Sequence, residues 1–417
     1  MLYNDCGGSH IPKCHHSKDI LPSTALALMH FQRLLSLTVC TIVFSTTQAC
    51  STDDDCSLNG VCLPSTNSNT TSTCQCDPGW FGDDCGRLDL APATRYTGFN
   101  NTNFTSPDHY SNRGNSSWGG QIVQDQNDPK LFHLIYDQFA HGCGLSGWRP
   151  MSFIARAEST SGPQGPYVWK QNVTGSFSHN AYVYWSPADE KYLLWRIGVD
   201  VPDPKQCGGI NKAQWPNNIS VSSAPTIRGP WTPFKILVNG TNPAPAPLWS
   251  SDNPTHETVL AAEDLNIFTA PSFDGPYKKV FTAPWNTSDY SPTWAEDPFV
   301  WSDKRGNWHA LAHWMIDITE SNRKYPRVGA HMFARNITGP WTFKLQEAFN
   351  STVTFTDGSV ETFNRRERPK LFFSTDGEVT PLYMVNGVQR LGTTTESYTL
   401  VQPVGTRWME FERKLGF

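Results

Sequence analysis

AHMFARNITGPW, residues 330–341, is a short alternating run that ends in a glycine-proline-tryptophan turn. The same Gly-Pro-aromatic phrase recurs at Gly165-Pro166-Tyr167, Gly229-Pro230-Trp231 and Gly275-Pro276-Tyr277, after the comparable runs FIARAEST, ISVSSAPT and LNIFTAPS. Alternation of this kind marks a strand, and Gly-Pro marks the turn that ends it. Further strand candidates lie upstream: KLFHLIYDQF, KYLLWRIG, ETVLAAE and NWHALAHWM. A last pair, KLFFST and TPLYMVNGV, is joined at Asp376-Gly377. Five units emerge, opening near Ser117, Ser178, Asn253, Ala295 and Arg365. A four-stranded propeller blade takes about 40–50 residues, so residues 87–417 accommodate five blades with long loops. One blade cannot bury both of its faces, so blades stack around an axis and close a ring. The expected fold class is all-β: a five-bladed β-propeller preceded by a small disulfide-rich module. The alternative is a β-sandwich or a pair of them.

Composition agrees. The 417 residues include 16 Trp, 13 Tyr and 23 Phe, with Pro and Gly at 31 each, which suits many strands joined by tight turns. The formal net charge of −5 argues against a nucleic-acid scaffold or a polybasic membrane surface.

The start of the chain has the layout of a secretory leader. From Met29 the sequence runs MHFQRLLSLTVCTIVFSTTQA, with Arg33, an apolar run from Leu34 to Phe44, and a small-residue exit at Ala49. The apolar run is too short for the roughly 20 residues of a membrane span. Residues 1–28 read as an upstream polar extension and residues 29–49 as a signal peptide, with no membrane span after cleavage. Removing 1–49 takes away Cys6, Cys14 and Cys40 and leaves eight of the 11 cysteines, an even number. Ten N-x-S/T sequons, at Asn69, Asn100, Asn103, Asn115, Asn172, Asn218, Asn239, Asn286, Asn336 and Asn350, suit a glycosylated surface. The expected location is secreted and extracellular.

Cys50, Cys56, Cys62, Cys74, Cys76 and Cys85 form a dense run that ends CQCDPGWFGDDCG. Six cysteines alone allow 15 pairings. The spacing resembles the EGF-like family, and that resemblance implies Cys50–Cys62, Cys56–Cys74 and Cys76–Cys85 within a module at 50–86. So short a module buries too little apolar surface to stand without bridges. The acidic run Asp53–Asp55 reads as solvated charge rather than a metal site. The module is either an extracellular protein-contact element or a cap on the main domain. Cys143 and Cys207 are left to bridge two loops on one side of the ring.

Residues at the mouth of each innermost strand converge at one end of a propeller axis. The five openings read SSWGGQIV, FSHNAYVYW, PTHETVLA, WAEDPFVW and RRERPKLFF. They gather Trp118, His179, Asn180, His256, Glu257, Glu296, Asp297, Arg366, Glu367 and Arg368, with Trp148 on a nearby loop. Paired carboxylates divide proton donation from water activation. Arginine forks hold oxygens, and tryptophan gives a pyranose ring a flat apolar face.

WAEDPFVWSDKRGNWHALAHW, residues 294–314, resembles the fourth-blade strand pair of the five-bladed propeller glycoside hydrolases, most closely the family 43 type. The resemblance implies a glycosidase in which Glu296 is the general acid. The departures are equally clear. The first opening has Ser117-Trp118-Gly119-Gly120 where the family carries an Asp as base, and the second has His179-Asn180 where it carries a tuning Asp. Glu367 or Glu257 is the replacement base by position. Trp118, Trp148, His179, Asn180, Asp297, Arg366 and Arg368 are the expected substrate-binding set. A plainer role stands beside each: Glu296-Asp297 caps a strand and pairs with Arg366 or Arg368, Arg366-Glu367-Arg368 is a structural ion-pair cluster closing the last blade to the first, and His179 and His313 are satisfied core or channel histidines. No cofactor is required by the sequence. A five-bladed ring can hold a central metal ion, but no ligand set is identifiable. The expected function is a secreted, inverting glycoside hydrolase. Its alternatives are a carbohydrate-binding or adhesion protein without turnover, and a signalling ligand acting through the EGF-like module.

Overall fold

A computed structural model describes residues 49–65, 71–95, 97–99, 116–200, 207, 216–248, 255–282, 295–314, 328–344, 346–392 and 396–417. The polar extension, the leader up to residue 48, Cys6, Cys14, Cys40 and the sequons at Asn69, Asn100, Asn103, Asn115 and Asn286 lie outside them. Of the other sequons, Asn172, Asn239, Asn336 and Asn350 are exposed and Asn218 is half-buried. No helix among the described residues is long and apolar enough to cross a membrane.

The fold is a five-bladed β-propeller. Blade one is built from Ser117–Gln124, Phe132–Phe139, Ser152–Ser159 and Val168–Asn172. Blade two is built from His179–Ser186, Lys191–Ile197, Asn218–Ala224 and Lys235–Asn239. Ala244–Pro247, Thr258–Ala262, Asn266–Ala270 and Lys278–Phe281 make blade three. Blade four is Ala295–Ser302, Trp308–Trp314, Val328–Ala334 and Thr342–Phe343. In blade five the long strand Val360–Phe373 pairs with Pro381–Arg390, which pairs with Tyr398–Pro403. Pairing within the blades is antiparallel.

Each Gly-Pro-aromatic phrase lies in the connection between a blade's third and fourth strands, and each of its Gly-Pro bonds is cis. Blade five lacks the phrase for a topological reason: its outer neighbour comes from the other end of the chain. Leu90 bridges Val404 in antiparallel fashion, and the Ala91 N–H donates to the Pro403 carbonyl at 3.0 Å. Ser117 and Ser397 exchange hydrogen bonds that tie blade one to blade five. The ring is closed by hydrogen bonds, so no long sheet edge is left at the join.

Second strands such as Phe132–Phe139 are buried along their whole length, because blades pack on both faces. Aromatic rings fill the space between blades: Tyr182 stacks on Phe299 at 5.9 Å and Phe299 on Phe373 at 6.0 Å.

The sequence misplaces one unit. The opening of unit three, set near Asn253, belongs to the blade's second strand. The innermost strand is Ala244–Pro247, whose prolines hid it from a β-propensity reading.

All four disulfides have the expected partners: Cys50–Cys62, Cys56–Cys74, Cys76–Cys85 and Cys143–Cys207. The cysteine-rich module belongs to the same compact unit as the propeller. Trp80 is buried against blade four, 6.4 Å from Trp301 and 4.9 Å from the His331 ring. Lys344 donates to Asp84 Oδ2 at 3.0 Å, to Ser57 Oγ at 2.9 Å and to the Asp55 carbonyl at 2.8 Å. The acidic run is not simply solvated. Asp53 Oδ1 accepts the Cys62 N–H at 2.8 Å, Asp54 pairs with Arg335 at 2.6 Å, and Asp55 accepts the Ser51 and Thr52 N–H groups.

Candidate functional site

The five blade mouths share one backbone device. At each, a single residue adopts the left-handed conformation: Gly119 (φ +58°), Asn180 (+59°), Asn242 (+56°), Asp297 (+54°) and Arg368 (+57°). The strand register shifts close by, as between Trp118 and Gln121, Glu296 and Phe299, and Glu367 and Lys370. Such a bulge bends the strand and re-aims the side chain before it. Those preceding residues are Trp118, His179, Thr241, Glu296 and Glu367, and all five line one cavity of about 700 Å³. Glycine, Asn and Asp tolerate this conformation, whereas an Arg adopts it at a cost of about 1–2 kcal/mol. Arg368 is held there by three partners. Its guanidinium pairs with Asp137, lies 3.3 Å from Asp297 Oδ1, and donates to His179 Nε2 at 2.5 Å.

Asp137 links three blades. It sits at the far end of blade one's second strand, opposite Trp118, and is buried. It accepts the Asn180 N–H at 2.9 Å and the Ala181 N–H at 3.4 Å, and lies 3.3 Å from His179 Nδ1. Burial raises its pKa from the ordinary value, and the adjacent Arg368 opposes the rise. Burial, with Arg368 and Arg149 nearby, holds His179 well below its ordinary value, so the imidazole is neutral and accepts from Arg368. The Trp148 ring stacks on His179 at 4.5 Å, and the Arg149 guanidinium lies 4.5 Å from Trp148.

The carboxylates come from blades three, four and five. Glu296 Oε2 is 3.9 Å from His313 Nδ1, and Glu367 Oε1 is 3.7 Å from His313 Nε2. Arg365 stands 3.3 Å from Glu367. Glu263, at the end of blade three's second strand, lines the same cavity. Burial, with Glu296 and Asp264 alongside, pushes its carboxyl up to about 7. Burial also pushes Asp297 up to about 7; Arg368 opposes the rise, and Glu296 and Glu367 add to it. Asp264 Oδ1 accepts the N–H of Ala295, which fixes the residue before Glu296. Ligand atoms of Glu296, Asp297 and His313 lie within 4.8 Å of one another, which is the spacing of a cation site.

Of the expected site residues, Glu296, Glu367, Trp118, Trp148, His179, Asn180, Asp297 and Arg368 line the cavity. Trp118 is only 1% exposed, with its ring against Gly387, so it walls the site rather than offering an open face. Glu257 does not reach the cavity. It is exposed at the start of blade three's second strand, the end opposite Glu263, because the blade's innermost strand is Ala244–Pro247. His256 beside it is exposed and bonded to Asp189 at 2.8 Å. Arg366 also points away. Alternation along the strand sends it into blade five, where it donates to Asn386, Gln402 and the Asn350 carbonyl.

Sequence reasoning missed Glu263, Asp137, Thr241 and Asn242. A signal existed for the last two: Thr241-Asn242-Pro243 is spelled like Glu296-Asp297-Pro298 and Glu367-Arg368-Pro369.

No family model and no curated protein sequence matches the chain. Solved structures similar to it are glycoside hydrolases. The family 117 glycoside hydrolase from Zobellia galactanivorans has a TM-score of 0.46 at 12% identity, covering 79% of this chain and 92% of that one. An endo-arabinase from Bacteroides thetaiotaomicron gives 0.42 at 12%, covering 69% and 94%. A family 43 protein from Bacillus licheniformis gives 0.44 at 10%, covering 72% of this chain and 54% of that one. Identities this low transfer no residue roles, so the roles below rest on the cavity itself.

Proposed function

We propose that the chain is a secreted glycoside hydrolase acting on an extracellular glycan, with Glu296 as general acid and Glu367 as general base. The observation that carries this reading is the placement of these two carboxyl groups, from adjacent blade mouths, on either side of His313 in one open cavity. Glu296 gives its proton to the leaving glycosidic oxygen as the bond from the anomeric carbon breaks. A water attacks that carbon from the opposite face, and Glu367 takes its proton. Attack from the opposite face inverts the anomeric centre. Arg365, 3.3 Å from Glu367, faces the proposed base with a positive charge. Glu263 lines the same cavity beside Glu296, and its own carboxyl is pushed up to about 7, mainly by burial. Arg368 and Asn180 offer hydrogen bonds to sugar hydroxyls, and the Trp148–His179 stack offers a wall. The leader, the disulfides and the sequons support secretion, and the seating of the module on blade four supports its role as a cap.

One observation favours a second reading, a glycan-binding protein without turnover. The mouth of blade one carries Trp118-Gly119-Gly120, and the adjoining Asp137 carboxylate is occupied by Arg368. The secreted protein, screened on neutral arabinans, galactans and xylans and on aryl glycosides beside Glu296→Gln and Glu367→Gln, separates the two. Hydrolysis abolished by either change is the expected result. Turnover that persists in both variants, or glycan binding with no turnover by any of the proteins, overturns the assignment.

A further inference from the structure

A second cavity, of about 370 Å³, lies over the outer part of blade three. It shares Asn217, Thr241 and Glu263 with the carboxylate cavity, so the two adjoin. Beyond that shared wall it is lined by Asn266, Phe268 and Lys279. Phe268 is half-buried and lines the cleft, and the Lys279 ammonium stands 6.0 Å from its ring centroid. Lys279 is an exposed side chain. The Asn266 amide is fixed, donating to the Glu263 carbonyl at 2.7 Å and accepting from Thr282 at 3.1 Å.

We propose that this cleft is the continuation of the glycan site, so that the substrate is a neutral chain of several sugars running outward from the carboxylates across blade three. The inference rests on the glycosidase reading and adds to it the length and path of the substrate. An aromatic face, fixed amides and one cationic donor are what a chain of hydroxylated rings requires, and side chains already ordered lower the entropic cost of binding it. Glu263 and Asp264 on the same wall, with Lys279 as its one cation, leave the cleft without the cluster of positive charge that a polyanionic chain requires. One competitor is built into the molecule. Asn239 lines the cleft and heads the sequon Asn239-Gly240-Thr241, so a glycan attached there has the same chemistry as the proposed ligand.

Calorimetric titration tests the proposal. The probes are neutral galacto-, xylo- and arabino-oligosaccharides of one to six units, titrated into full-length Glu296→Gln protein after enzymatic removal of N-glycans. Affinity in the recognised series should rise at least ten-fold with length. Adding Phe268→Ala and Lys279→Gln should flatten that rise and leave the shortest binding sugar unchanged. Equal affinity for short and long sugars, or a length dependence untouched by the two changes, overturns the cleft while leaving the glycosidase reading intact. Absence of binding in every series, with no hydrolysis by the unmutated protein, overturns both.

Discussion

Glu296 and Glu367, from adjacent blades, approach opposite nitrogens of one buried imidazole, at 3.9 Å and 3.7 Å from His313. Neither distance is a hydrogen bond. The ring thus stands within 4 Å of two carboxylates that line one cavity.

His313 is therefore a positioning residue for both. Replacing it with Gln should lower kcat at least ten-fold with little change in KM, and shift both limbs of the pH–rate profile, because the ring stands beside the donor and the acceptor. A fall in thermal stability with kcat and the profile unchanged would assign the ring a purely structural role.

The carboxylates themselves should behave as a unit. Glu296→Gln and Glu367→Gln should each lower kcat about 10²–10⁴-fold, and the double variant should lose far less than the product of the two. Independent, multiplicative losses in single-turnover assays count against a shared reaction.

Glu263 ties stability to pH. Its carboxyl is pushed up to about 7 in the folded protein, mainly by burial, against about 4.5 in the unfolded chain. The folded state therefore binds more protons between these values. The stability linked to this group is fully present below about 4.5 and is lost as pH rises through about 7. Glu263→Gln should stabilise the protein at pH 8 by about 1 kcal/mol once solvent screening is allowed for, and give no gain at pH 4. Melting curves of both proteins at the two pH values check the sign.

Arg366 was expected in the substrate site and lies in the sheet instead. It is buried and donates to Asn386 at 3.0 Å, Gln402 at 2.6 Å and the Asn350 carbonyl at 3.1 Å. Arg366→Ala leaves those acceptors unpaired, and a loss of about 3–5 kcal/mol is expected on denaturant unfolding. The protein that remains folded should keep its glycan affinity. A stable variant with weakened binding reverses this assignment.

The fold was legible because it repeats. Gly-Pro-aromatic marks the same connection in four blades, and its absence from the fifth follows from the Leu90–Val404 closure, which a linear pattern does not display. The site was legible where a charged residue stands at a mouth spelled like a strand, as at Glu296 and Glu367. It was hidden at blade three, where Pro243, Pro245 and Pro247 disguise the innermost strand, and this displaced Glu257 into the site and left Glu263 out of it. Asp137 was hidden for another reason: it lies at the end of a second strand, which runs antiparallel back to the mouth, and an opening-by-opening reading counts only first strands.

The cysteine-rich module should unfold with the propeller rather than before it. Three kinds of contact join them, and their magnitudes differ. Arg335–Asp54 and Lys304–Asp77 are partly exposed ion pairs, each worth about 0–1 kcal/mol. Lys344 is better placed, with three acceptors on the module. Trp80 dominates: it is 7% exposed, stacked near Trp301 and His331, and its loss from a packed site costs about 3–5 kcal/mol. Trp80→Ala should lower the denaturation midpoint of the whole protein, while Asp54→Asn should barely move it. The unmutated protein should show one transition whether followed by tryptophan fluorescence or by circular dichroism. A separate early transition for residues 50–86, with the propeller's midpoint unchanged in Trp80→Ala, would make the module a tethered appendage rather than part of blade four's packing.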